Sequence, residues 1–89
     1  MNAEQRELFR RALLEVLEAN NTRFGLGSAA LRHLVRPFGF ARPEEKEVRE
    51  EIGYLEDKGL VAEVLKGVSP ENRAWRITAA GRDYLAERG

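Results

Sequence analysis

Cysteine is absent from the chain, and histidine occurs once, at His33. Without cysteine there is no disulfide framework, no thiol nucleophile and no thiolate metal site. One histidine does not make a histidine-rich zinc site or a Ser-His-Asp triad without help from another chain. Long apolar runs are missing too, so no stretch approaches a membrane span. The N-terminal MNAEQREL lacks the apolar core of a signal peptide. No nucleophile stands beside a base, and FGLG at 24–27 has neither the spacing nor the following lysine of a phosphate-binding loop. These gaps lead to the expectation of a soluble, cytoplasmic protein that is not an enzyme, carries no cofactor, and has no metal or membrane partner.

An excess of charge of either sign is also lacking. Fifteen basic and fifteen acidic residues give a formal net charge of zero over 89 residues, which argues against strong nonspecific attraction to nucleic acid. The distribution is uneven. Residues 1–36 carry six basic and four acidic groups, residues 42–58 four and seven, and residues 66–89 five and three. The middle of the chain is therefore acidic and both flanks are basic. The length fits one small domain over 1–89, with a core limited enough that a partner subunit is plausible.

Periodicity divides the chain into four helical segments and one hairpin. Over 3–19, Leu8, Ala12, Leu13, Val16 and Leu17 recur at helical spacing, with Phe9 and Leu14 widening the apolar face. That width suggests more than one neighbour, and Phe9, Leu14 and Tyr84 are the candidates for a subunit interface. Asn20-Asn21 ends the helix. After a glycine-containing connector, Ser28 is expected to cap a short helix to about Arg36, with Pro37 and Gly39 ending it. Phe38 and Phe40 are expected to plug the core. A third helix is expected to start at Pro43, present Val48, Ile52 and Leu55 inward, and end at Gly59. Strands at 60–65 and 74–77 flank the polar turn KGVSPENR, and Thr78 caps a last helix to about Arg88.

The run from Leu55 through Gly59, Leu60 and Val61, followed by Trp75, Ile77, Thr78, Gly81 and Leu85, resembles the winged-helix superfamily of bacterial and phage regulators. In that superfamily a leucine-glycine-leucine-valine step leads from the recognition helix into the wing. A threonine-glycine-leucine pattern leads from the wing into the last helix. The likeness covers about residues 7–86. In length and in its short apolar first helix, the chain is also similar to small winged-helix proteins of Mu-like prophages. The resemblance implies an α+β winged helix-turn-helix with three helices, a two-stranded wing hairpin and a C-terminal helix. It specifies fold better than function.

If the chain binds DNA as such proteins do, the third helix enters the major groove. Lys46 and Arg49 are then its candidates for phosphate and base contact. Arg32 and Arg36 on the second helix, and Arg42 at the entrance to the third, are candidates for the backbone. Lys66, Arg73 and Arg76 are candidates on the wing. Against this, Glu44, Glu47, Glu50 and Glu51 would repel phosphates. Trp75 reads as core, Tyr54 as a helix-edge residue and His33 as a surface histidine. Two functions stay open. One is a DNA-binding accessory or regulatory protein, in a dimeric form, on double-stranded DNA. The other is a protein-interaction or assembly module that kept the fold without DNA binding.

Overall fold

A computed structural model of the chain describes residues 1–64 and 73–88. The expected turn residues around Lys66 lie outside the described residues. The first helix, α1 (Ala3–Ala19), begins with a capping box: Asn2 Oδ1 accepts from the Gln5 amide at 2.8 Å, and Gln5 Oε1 accepts from the Asn2 amide at 3.1 Å. It ends where both the amide and the side-chain nitrogen of Asn20 donate to the Val16 carbonyl. Its apolar face meets α2, α3, α4 and β3, defined below, so it lies at the centre of the core.

That central position corrects two expectations. Phe9 and Leu14 have no exposed surface and are covered by the chain itself. They offer a second subunit nothing to touch. Leu8, expected on the buried line, is 55 % exposed instead. The reason lies in the width of the face: a helix with neighbours on several sides buries a wide stripe, and the stripe here runs through Phe9 rather than Leu8. The Phe9 ring meets Phe40 edge-on, with centroids 4.9 Å apart. Phe38 does not join it and stands 45 % exposed, because the turn at Gly39 separates the two rings. Tyr84 is half-buried against the core.

The connector after α1 holds an element that its sequence does not announce. β1 (Leu26–Gly27) pairs antiparallel with β3 (Ala74–Ile77), opposing Leu26 to Trp75 and Gly27 to Ala74. The backbones are so close that a Cβ on Gly25 would lie 2.6 Å from the Trp75 carbonyl oxygen. β3 pairs on its other side with β2 (Val61–Val64), from Val61–Ile77 to Val64–Ala74. The sheet order is β1-β3-β2, three strands where two are expected.

Between β1 and β2 lie α2 (Ser28–Leu34), a 3-10 turn (Arg36–Phe38) and α3 (Glu45–Asp57). Ser28 is the first residue of α2 rather than its cap, which is Gly27. Its hydroxyl donates to Glu45 Oε1 at 3.0 Å and ties the starts of α2 and α3 together. α3 starts two residues after Pro43, with Glu44 at its cap and the Glu44 amide donating to Glu47 Oε1. Its C-terminus is a Schellman motif: the Leu60 amide donates to the Leu55 carbonyl and the Gly59 amide to the Glu56 carbonyl. Gly59 takes the left-handed φ of 76° that this closure needs.

The last helix, α4 (Ala79–Arg88), is hooked onto that closure. The Thr78 hydroxyl donates to the Gly59 carbonyl at 2.7 Å, the Thr78 amide donates to the Leu60 carbonyl at 3.0 Å, and Thr78 Oγ1 caps the Gly81 amide. The two sequence patterns that carry the winged-helix resemblance thus hold each other. Val61, Trp75 and Ile77 of the sheet join Leu13, Leu17, Leu31, Ile52 and Leu55 in one core. Each of these larger side chains contributes roughly 1.5–3 kcal/mol by leaving water. Three helices, a hairpin and a C-terminal helix make a winged-helix-like α+β architecture.

Candidate nucleic-acid interface

The acidity of α3 was the main obstacle to reading it as a DNA-facing helix. The structure shows where much of that charge goes. Glu47 accepts from the Glu44 amide at the helix start, where negative charge is favoured by the dipole. Glu45 accepts from Ser28 and pairs with Arg49 at 3.4 Å. Glu51 faces α1 and is 9 % exposed. Arg10 Nε lies 2.6 Å from its carboxylate and Arg6 Nε 3.5 Å. The Arg10 guanidinium also stacks 3.6 Å over the Tyr54 ring. Of the four glutamates expected to repel phosphate, Glu47 and Glu51 have engaged side chains, and the Glu50 side chain has no hydrogen bond or ion pair among the described residues.

Glu51, expected among the glutamates that repel phosphate, turns toward α1 instead. Its partner is 41 positions away, which no local pattern reveals. One signal was nonetheless present: Val48, Glu51, Ile52 and Leu55 follow the i, i+3, i+4, i+7 spacing of an inward stripe. An acid on such a stripe implies a cation opposite. Because Arg10 and Glu51 are shielded without being sealed, with side chains 18 % and 12 % exposed, Glu51→Ala should cost roughly 2 kcal/mol, less than a fully buried pair. Thermal melts should show a midpoint lowered by about 8–16 °C, against almost no change for Glu50→Ala.

The expected site residues fall into three groups. Arg32 on α2, Arg36 in the 3-10 turn and Arg42 before α3 converge on one recess of about 300 Å³, lined also by Ala29, His33, Ala41 and Pro43. No carboxylate lines it. Arg32 Nε donates to the Pro43 carbonyl at 2.9 Å; the side chains of Arg36, Arg42 and His33 have no hydrogen-bond or ion-pair partner among the described residues. Lys46 and Arg49 lie apart from it on α3, around a shallow surface shared with Glu45 and Glu50. On the wing side, Arg76 is exposed on β3. Arg73 is engaged: Nε and Nη2 donate to the two oxygens of Glu63, each at 3.0 Å. Those hydrogen bonds raise the Arg73 pKa, and its guanidinium also lies 5.1 Å from the Trp75 ring centroid. Trp75 is core, 2 % exposed. Lys66 lies outside the described residues.

Among the described residues no group of three or more His, Asp or Glu is placed to hold a metal ion, and no helix is long and apolar enough to cross a membrane. No family model, no curated protein and no solved structure matches the chain.

Proposed function

We propose that the protein binds double-stranded DNA as an accessory or regulatory factor, without chemistry of its own. Arg32, Arg36 and Arg42 hold phosphates, Lys46 and Arg49 face the groove from α3, and Arg76, with Lys66 and Arg73, works from the wing. The observation that carries this reading is the convergence of Arg32, Arg36 and Arg42 on a recess free of carboxylates, while two of the four glutamates expected to repel phosphate, Glu47 and Glu51, are engaged within the fold. Arginine presents planar, paired donors that suit phosphate oxygens. With a net charge of zero, long-range attraction is weak, and affinity comes from these local contacts.

The competing reading, a protein-interaction module, calls for an exposed apolar patch on α1. Phe9 and Leu14 are buried, which leaves Leu8 as the exposed large apolar side chain of α1. The test is fluorescence anisotropy with a mixed-sequence duplex at about 50 mM and about 200 mM salt. With four or five phosphates engaged, affinity should fall by roughly two orders of magnitude between the two. No binding at the lower salt, by a chain shown to be folded, would sink the DNA reading and favour the interaction module.

A further inference from the structure

We infer that the recess between α2 and the segment entering α3 is a discrete phosphate seat, which accepts one phosphoryl or diphosphate group without help from a base. The inference deepens the DNA reading and rests on it for the natural ligand; the seat's affinity for a free oxyanion does not.

The lining sets the chemistry. Its titratable side chains are Arg32, His33, Arg36 and Arg42, and its other residues are Ala29, Ala41 and Pro43. Several like charges around one small volume repel one another, and an oxyanion relieves that repulsion. No Phe, Tyr or Trp lines the recess, and its one aromatic ring is the small His33 imidazole, so it offers a base little platform for stacking. A volume of about 300 Å³ admits a phosphate with water or a diphosphate. The ligand class is therefore a phosphate group read by charge and shape, independent of sequence.

The backbone is built to hold the arginines in place. Arg32 sits on a helix, and its Nε is anchored to the carbonyl of buried Pro43. That anchor meets part of the ordering cost before a ligand arrives. Arg36 precedes Pro37 and Arg42 precedes Pro43, and a residue before proline has a restricted backbone. The turn at Gly39 brings 41–43 back beside α2. Among the described residues neither α3 nor the wing side combines three such cations: Lys46 and Arg49 share their surface with Glu45 and Glu50, and Arg73 is bound to Glu63.

The test uses pyrophosphate as the probe on the full chain, followed by calorimetry and by NMR of the arginine Nε–H signals. Binding should perturb Arg32, Arg36 and Arg42, and pyrophosphate should displace a labelled duplex. Arg36→Gln with Arg42→Gln should weaken pyrophosphate binding at least about tenfold. Lys58→Gln with Arg82→Gln, at residues that do not line the recess, should leave it unchanged. Since Arg36 and Arg42 are exposed, melting curves of the first pair should match the parent and exclude misfolding. If duplex binds while pyrophosphate neither binds nor competes, the seat is refuted and the DNA reading stands. If pyrophosphate binds at the recess and no duplex does, the seat stands as a site for free phosphate and the DNA reading falls. Equal binding by parent and the Arg36, Arg42 variant also refutes the seat.

Discussion

Phe9→Ala is expected to remove a large part of the protein's stability, by the same amount at every protein concentration. Phe9 has no exposed surface and its ring fills the space beside Phe40. Truncating a buried phenylalanine costs about 3–5 kcal/mol, partly for lost transfer energy and partly for the cavity. A chain of 89 residues has about 4–13 kcal/mol in total to lose. Circular dichroism melts should show a midpoint lowered by roughly 12–40 °C. The concentration dependence makes the experiment decisive about the role of the residue. An interface phenylalanine would leave a folded monomer and shift only the association equilibrium. The core residue described above should give the same loss in dilute and concentrated samples. A folded monomeric variant would restore Phe9 to the subunit interface.

Gly81→Ala is expected to be nearly as damaging, although alanine is the better helix former by about 1 kcal/mol. A Cβ at this position would fall on the Leu60 carbonyl oxygen and lie 2.6 Å from Ile77 Cγ1. The isoleucine can turn aside, but the carbonyl cannot, because it also accepts from the Thr78 amide. Relieving the overlap means moving α4 away from the end of α3 and breaking the Thr78 clasp. The net loss should be about 2–3 kcal/mol, read as an earlier denaturant midpoint. Gly53→Ala makes the control. Gly53 is also helical, but nothing lies within 4 Å of its added Cβ, so the same change should stabilise by about 0.5–1 kcal/mol. If Gly81→Ala stabilised as well, the close approach of Leu60 to α4 would be wrong.

These variants show why some of the structure was legible in the sequence and some was not. Gly59, Thr78 and Gly81 act through the backbone next to them, so their residue types carry the geometry with them. The caps at Asn20 and Thr78 are of the same kind. Leu26–Gly27 is different: two residues cannot display an alternation, and their strand exists only because β3 arrives beside them. Phe38 and Phe40 share a composition, and the turn at Gly39 decides which enters the core. The start of α3 was misplaced because proline suits the first helical turn and also suits the residue before a cap.

The candidate site divides along the same line. That arginines flank the second and third helices is plain from the sequence, but which of them are free is not. Arg73 is claimed by Glu63 across the hairpin, and Arg10, never a candidate, is claimed by Glu51 from another helix. Charge counted along a chain treats every ionised group as available. Charge in the folded protein is what remains after such pairs have formed, and here Arg32, Arg36 and Arg42 remain around α2 on a surface that no carboxylate lines.

The sheet order carries a consequence for how the protein is made. β3 lies between β1 and β2 yet follows both in the chain. As the polypeptide leaves the ribosome, both outer strands emerge with no neighbour to pair with. The apolar face of α1 waits uncovered for Trp75 and Ile77. Only when residues 74–85 have emerged do the sheet and the clasp on Leu60 become possible, and they become possible together. A product that stops anywhere before β3 lacks both the sheet and the clasp, and is expected to be a substrate for proteolysis rather than a smaller working protein.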